Sequence, residues 1–291
     1  MFALCLGLAD DASPTTKRAF EEKSRLAQEL AGLARFERER RSISVEVQPP
    51  AARVQPVQLI VDTDLGFDVD DAGALAVANH LQDIGACELL AVIHDTGFYK
   101  GVGGVDVINH FYNRTGVRLG AYRGAWASSQ AAQSAQDRYT STIQARYPSP
   151  VQNADQVDDA VTAYTKALSA AADGSVVIAS IGEPTALRDV LRAQPALFAR
   201  KLKQLVYMDG AYNFGCGDAH GGPSSPYLGS TAGCAGAAQL VVESVPRGVR
   251  QLFTLNGGGV LTGGRYNVGC GLGPVKDAYQ IWTGRGTRPS G

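Results

Sequence analysis

The sequence predicts an α/β fold with an open, mostly parallel sheet and helices on both faces. The predicted strands are the short apolar runs at residues 57–61, 89–93, 176–181, 202–208 and 252–255. The predicted helices are the amphipathic patterns at residues 72–81, 103–112 and 184–191. Strands that alternate with helices form parallel sheets, because each helix carries the chain back across the sheet before the next strand. Such sheets bind ligands at the carboxyl ends of their strands.

Two segments near the N-terminus differ in composition from the rest of the chain. Residues 13–41 are rich in Lys, Arg, Glu, Ala and Leu, which predicts an exposed, charged helix. Pro49 and Pro50 cannot continue a helix, so residues 48–55 are interpreted as a linker. We therefore expect an N-terminal extension, helical or partly disordered, over residues 1–55, and the α/β domain over residues 56–291.

Composition excludes several classes of function. The 27 basic and 28 acidic residues leave a net charge of -1, so there is no electrostatic case for nucleic acid or an anionic membrane as partner. No apolar run approaches the roughly 18 residues of a membrane-spanning helix. The five cysteines show no CxxC or CxxH spacing, which argues against a zinc site. A small neutral or weakly charged molecule is the expected partner, and a homo-oligomer is left open.

The first nine residues are apolar but lack the basic start of a signal peptide. A cytoplasmic location is therefore the default prediction, with secretion left open.

Five aspartates follow the first predicted strand within the segment DTDLGFDVDDAGAL, at Asp62, Asp64, Asp68, Asp70 and Asp71. Carboxylates at this density repel one another unless protons or a cation compensate, and oxygen ligands favour Ca²⁺ or Mg²⁺. A helix start that favours acidic residues accounts only for the last two aspartates. An EF-hand is excluded, because glycine stands at two positions where that loop needs oxygen ligands. A metal site is therefore predicted.

The segment VDTDLGFDVDDAGALA resembles the N-terminal signature of the inosine-uridine preferring nucleoside hydrolase family, and especially its divergent members with the pattern DTDxGxDxDDAxAL. A weaker resemblance continues, in the family's order, through LLAVIHDTG, VVIASIGEPTAL and LVYMDGAYNFG, and covers roughly residues 57–273. Haloacid-dehalogenase-like phosphohydrolases also place a DxD after a strand and use its first aspartate as nucleophile. The downstream acidic pair expected of these phosphohydrolases is not found in this sequence, which argues against such an enzyme. It is kept as an alternative.

The resemblance implies a calcium-dependent hydrolase that cleaves the N-glycosidic bond of ribonucleosides or related ribosyl compounds. Asp64 would bind Ca²⁺ and act as the general base on a calcium-bound water, which attacks C1′ of an oxocarbenium-like ribosyl group. Asp71 and the main-chain carbonyl of Ile181 would be further calcium ligands, and Asp70 would contact the ribose hydroxyls.

Geometry refines these roles. Adjacent residues at a helix start project in different directions, which predicts that Asp71 anchors the metal together with Asp64 while Asp70 faces the ligand. Asp62 is expected beside them, either behind the metal ligands or as a partner on the ligand side, and Asp68 is expected to take no part. His94, at a strand end, and Asn213, in a later loop, are further candidate contacts to the ligand.

The sequence also departs from the family's pattern. Phe98 follows Gly97 where the family has an asparagine, Cys216 follows Gly215 where it has another, and its Glu-Phe-Asn sugar clamp is not recognisable. The family's C-terminal calcium-binding aspartate has no convincing counterpart, because Asp277 lies in a helix-like segment. The C-terminal part of the domain is thus expected to be missing. A second hypothesis follows: a catalytically degenerate domain of the same fold that binds metal and sugar.

Overall fold

Seven parallel strands form one sheet in the computed structural model, which describes residues 55–124, 130–208, 234–254 and 273–283. The strands are β1 (Val57–Thr63), β2 (Cys87–His94), β3 (Arg118–Ala121), β4 (Asp158–Asp159), β5 (Val176–Ser180), β6 (Leu202–Tyr207) and β7 (Arg250–Phe253). Their order across the sheet is β4-β3-β2-β1-β5-β6-β7, and every neighbouring pair is parallel. The predicted fold class is confirmed. The expected extension over residues 1–55 lies almost wholly outside the described residues and stays a prediction.

The helices of the described residues lie between and beside these strands. They are α1 (Asp70–Asp83), α2 (Gly101–Phe111), α3 (Gln130–Gln136), α4 (Thr140–Arg146), α5 (Ala160–Ala170), α6 (Thr185–Ala193), α7 (Pro195–Lys201), α8 (Cys234–Ser244) and α9 (Pro274–Trp282), with one 3-10 turn at Ala154–Gln156. Within this part of the chain, no helix has both the length and the apolar character needed to cross a membrane.

Each face of the sheet carries its own apolar core, because successive side chains of a strand point to opposite faces. Ile60 of β1 packs in a core that includes Leu187 of α6, together with residues of α5 and α7. Its neighbour Val61 packs in the other core, which includes Leu75 of α1 and residues of α2, α4 and α9. The central strand is thus covered on both sides, as expected of a parallel sheet whose strands are continuous apolar runs.

All eight predicted segments overlap elements of the structure. No predicted segment covers β3 or β4, which have four and two residues and carry too few apolar positions for a periodic signal. No predicted segment covers α5 either, although its buried residues Ala160, Tyr164, Ala167 and Leu168 have helical spacing that the sequence contains. The predicted strands and helices were recovered best where the pattern was long and apolar.

The strand order reverses beside β1. Strands β2, β3 and β4 extend from it in one direction, whereas β5, β6 and β7 extend in the other. The helices that follow β1 and β5 therefore diverge to opposite faces and leave a crevice at the carboxyl ends of these strands. Such a topological switch point is the usual ligand site of open α/β sheets.

Candidate metal and ligand site

Acidic residues from three adjacent strands meet at this crevice. Asp62 lies near the end of β1 and Asp64 directly after it, Asp95 follows β2, and Glu183 lies three residues after β5; all four side chains are buried. Backbone hydrogen bonds continue the sheet beyond its strands: Ile181 N–H donates to the Asp62 carbonyl at 2.8 Å and Asp95 N–H donates to the Thr63 carbonyl at 3.0 Å. The three strand ends are thereby held side by side.

The start of α1 adds three more carboxylates. Ligand oxygens of Asp68, Asp70 and Asp71 all lie within 4.8 Å of one another, close enough for one cation to be shared. Asp71 is only 3% exposed and accepts a hydrogen bond from the Thr63 hydroxyl, whereas Asp68 is half-buried and Asp70 is exposed. The predicted division of roles between Asp71 and Asp70 stays a prediction, and the group also contains Asp68, which was expected to take no part.

Asp64 joins this group through Asp71. Their carboxyl groups are in hydrogen-bond contact, so one proton or a cation has to lie between them. The approach of β5 to this point requires a glycine: a Cβ at Gly182 would lie 2.5 Å from the Asp64 nitrogen and would clash with a carboxylate oxygen of Asp95. Gly182 therefore allows the second acidic group to lie directly behind the first.

This second group consists of Asp62, Asp95 and Tyr164. The Tyr164 hydroxyl, from α5, donates to Asp62 Oδ2, and the Asp62 and Asp95 carboxyl groups are in hydrogen-bond contact. No donor among the described residues reaches Asp62 Oδ1 or either carboxylate oxygen of Asp95. The Thr185 hydroxyl fixes the backbone beside them by donating to the Asp95 carbonyl at 2.5 Å.

Burial dominates the electrostatics of both groups. Burial raises the pKa of Asp62 to about 6, and burial together with the charges of Asp70 and Asp68 raises the pKa of Asp71 to about 8. The pKa of Asp64 is raised well above its usual range by burial, with further contributions from the charges of Asp71, Asp68 and Glu183. Burial, followed by the charge of Asp62, does the same to the pKa of Asp95.

No lysine or arginine of the described residues forms an ion pair with Asp62, Asp64, Asp71 or Asp95. Buried carboxylates without such partners are stable only when protonated or when a cation compensates their charge. The donor set consists of carboxylate oxygens, which suits a hard divalent cation such as Ca²⁺. The residues present therefore fit the predicted metal.

His94 lies beneath the acidic loop. It is fully buried, its Nε2 lies 2.9 Å from the Leu65 carbonyl, and its ring packs against Phe98 at a centroid distance of 6.1 Å. Burial lowers the pKa of His94, which favours the neutral ring. In this position it supports the loop, and its predicted contact to a ligand stays a prediction.

Three further residues were considered as metal or ligand contacts: Ile181, Asn213 and Asp277. Ile181 directly follows β5 at the crevice, and the ligand role of its carbonyl stays a prediction. Asn213 lies outside the described residues. Asp277 on α9 accepts hydrogen bonds from Arg146 Nη1 at 2.8 Å and from the Tyr147 hydroxyl at 3.1 Å.

Asp95, Glu183 and Tyr164 were given no role from the sequence. A signal existed for the first two, because each closely follows a predicted strand and the carboxyl ends of parallel strands share one edge. Tyr164 carried none, since a tyrosine within an amphipathic helix is an ordinary core residue.

Comparisons with known proteins agree with this architecture. No family model matches the sequence, and no curated protein matches it. A plant nucleoside hydrolase, the PpNRh1 enzyme, matches with a TM-score of 0.54 and 17% identity over 79% of this chain and 72% of its own. The type III effector protein XopQ, solved with adenosine diphosphate ribose, matches with a TM-score of 0.59 and 15% identity over 79% of this chain and 66% of its own.

The effector protein XOO4466 matches with a TM-score of 0.52 and 16% identity, and this chain spans 56% of its length. At these identities the likeness concerns the fold alone. The chain therefore has the α/β fold seen in nucleoside hydrolases, with an acidic crevice at its switch point.

Proposed function

We propose that this chain is a divergent member of the nucleoside hydrolase superfamily that binds Ca²⁺ and hydrolyses the N-glycosidic bond of ribonucleosides or related ribosyl compounds. One observation carries the proposal: buried carboxylates from β1, β2 and α1 converge at the switch point of this fold without a described basic partner. Adenosine diphosphate ribose, the ligand named for the effector XopQ, is one such related ribosyl compound.

Asp64, Asp68 and Asp71 would hold the cation, because ligand oxygens of Asp68 and Asp71 lie within 4.8 Å of each other and Asp64 is in contact with Asp71. A bound calcium ion would supply positive charge that acidifies water and offsets the repulsion among these carboxylates. Asp64 is the proposed general base, since it is the strand-end carboxylate in contact with Asp71. Asp70, exposed at the rim, is the proposed contact to the sugar hydroxyls.

Asp62 and Asp95 lie behind Asp64 and are fully buried. Their proposed role is to fix the end of β1, and Tyr164 assists by donating to Asp62. Phe98, which stands where the family has an asparagine, is buried against the acidic loop and has no polar atom in its side chain. The proposed enzyme should therefore discriminate poorly among ribose hydroxyls, because one expected polar contact is absent.

Base release from inosine, uridine and adenosine, measured with saturating calcium chloride, tests the proposed reaction. We expect release by the wild type, and a decrease of roughly 100- to 10,000-fold in Asp64→Asn, which removes a general base. Asp173→Asn is the matched control. Asp173 is exposed and lies just before β5, at the amino ends of the strands and therefore opposite the acidic crevice.

Two results would contradict the proposal. A wild type that binds calcium but releases no base from any of the three nucleosides would favour the degenerate metal- and sugar-binding domain. Phosphate release from p-nitrophenyl phosphate that disappears in Asp62→Asn would favour the haloacid-dehalogenase-like reaction, which needs that residue as nucleophile.

A further inference from the structure

Tyr139 lies beside the acidic group but was not assigned to it. It immediately precedes α4, its side chain is only 1% exposed, and it packs in the same core as Leu65 and Val69 of the acidic loop. Its phenol therefore lies in the apolar core that packs against the acidic loop.

Backbone contacts fix this segment on the acidic loop. Arg138 N–H donates to the Gly66 carbonyl at 3.3 Å, and a Cβ at Gly66 would lie 2.8 Å from the Gln136 carbonyl oxygen. Gly66 also has a φ of +143°, a conformation that favours glycine. Two independent features thus require glycine at this contact, which holds the segment that precedes Tyr139 against the acidic loop.

The Tyr139 hydroxyl has no hydrogen-bond partner among the residues that the structure describes. A buried hydroxyl of this kind lowers stability unless something else bonds to it. Tyr164 offers a direct comparison, because it is equally buried on the other face and its hydroxyl donates to Asp62. The two tyrosines differ in whether the protein itself supplies the acceptor.

The aspartates of the acidic loop and of the start of α1 are within electrostatic range of the Tyr139 phenol. Burial raises the pKa of Tyr139 well above its usual range, and the charges of Asp71, Asp68, Asp64 and Asp70 raise it further, in that order. The hydroxyl consequently keeps its proton and is a donor over the whole neutral range.

We propose that the Tyr139 hydroxyl donates a hydrogen bond to an oxygen atom of the molecule bound at the carboxylates of Asp68, Asp70 and Asp71. That oxygen belongs either to a water held by the cation or to a sugar hydroxyl, and both present the same acceptor. Tyr139 is thereby a ligand-binding residue contributed by the segment between α3 and α4. The inference rests on the proposed function, because it needs a ligand at these aspartates.

Tyr139→Phe tests the inference, with Tyr164→Phe as the matched control. Both substitutions remove one buried hydroxyl. We expect Tyr139→Phe to unfold at the same temperature as the wild type or higher, because its hydroxyl has no partner within the described protein, whereas Tyr164→Phe should unfold at a lower temperature.

Calorimetric titrations of the full chain, first with calcium chloride and then with D-ribose at saturating calcium, supply the binding measurement. In Tyr139→Phe one of the two affinities should fall by about twofold to tenfold, as expected for one neutral hydrogen bond. A weaker affinity for calcium alone identifies a water as the acceptor, whereas a weaker affinity for ribose alone identifies a sugar hydroxyl.

If Tyr139→Phe binds calcium and ribose as the wild type does, the inference is wrong while the proposed function stands. Lower stability of Tyr139→Phe, equal to that of Tyr164→Phe, would also overturn it, because the hydroxyl would then have a partner in the protein itself. A wild type that binds neither calcium nor ribose would overturn the proposed function, and this inference with it.

Discussion

The roles of the individual aspartates follow from their burial and from their nearest neighbours. Asp71 is buried, bonded to Thr63 and in contact with Asp64, so its charge requires a proton or a cation as compensation. Asp70 is exposed beside it. Adjacent positions at a helix start thus differ in environment, as the geometry of a helix predicts.

Calcium binding by single variants tests these roles. We expect Asp64→Asn and Asp71→Asn each to weaken calcium binding by at least about tenfold, since even an outer partner of a metal contributes roughly 10- to 100-fold. Asp68→Asn should weaken binding less, because Asp68 is half-buried and shares the group at its open side.

Isothermal titration with calcium chloride provides the measurement, and Asp173→Asn is again the control. Binding that survives both Asp64→Asn and Asp71→Asn but disappears in Asp68→Asn would contradict the assignment of the two anchors.

At the scale of elements, the glycine-rich start of α2 determines how closely this helix packs on β2 and on the acidic loop. A Cβ at Gly101 would clash with the His94 ring, and a Cβ at Gly104 would lie 2.8 Å from a methyl carbon of Thr140 and 2.9 Å from one of Leu65. The GVGG sequence therefore has a packing role, which explains why four residues with poor helix propensity begin a helix.

Gly101→Ala should destabilise the protein. The clash forces His94 away from the Leu65 carbonyl, and we expect a loss of about 1–3 kcal/mol in the free energy of unfolding, as for other overpacked sites. The gain of about 1 kcal/mol that alanine brings to a helix interior does not apply in full here, because Gly101 is the first residue of α2. Urea unfolding measures the difference.

Gly116→Ala is the control for this substitution, because no atom lies within 4 Å of a Cβ there. Its effect should stay within about 0.5 kcal/mol. Equal stability of the two variants would show that α2 can shift without loss.

At the scale of the whole molecule, the buried carboxylates couple stability to pH and to calcium. Asp62 and Asp71 have pKa values of about 6 and about 8 in the folded protein, above the ordinary value of 3.8. Between pH 4 and pH 8, the folded state therefore binds more protons than the unfolded state. The free energy of unfolding falls with rising pH under that condition.

We expect the calcium-free protein to lose thermal stability as the pH rises from about 5 to about 8. Calcium should restore stability, and its effect should be larger at the higher pH, because protons then compete less for Asp71. Melting temperatures in EDTA and in calcium chloride at both pH values measure this. A calcium-free protein that becomes more stable towards pH 8 would contradict the prediction, and Asp71→Asn should reduce the pH dependence.

The sequence by itself determined the fold class and the centre of the site. Both signals are local: β1 is a short apolar run, and five aspartates follow it within ten residues. Buried strands of a parallel sheet have to be apolar, and a motif within one loop keeps its residues close whatever the rest of the chain does. For the same reason, α1 and β2 could be predicted nearly in full.

Only the tertiary structure decided which distant residues complete the site. Asp95, Tyr164 and Glu183 are contributed by β2, α5 and the end of β5, and Tyr139 comes from a segment with no periodic pattern. Their proximity depends on the strand order, which places β5 beside β1, and on Gly66 and Gly182, which allow the backbones to approach. Strand order and close packing result from contacts between residues far apart in the chain. Short-range patterns of hydrophobicity do not predict such contacts.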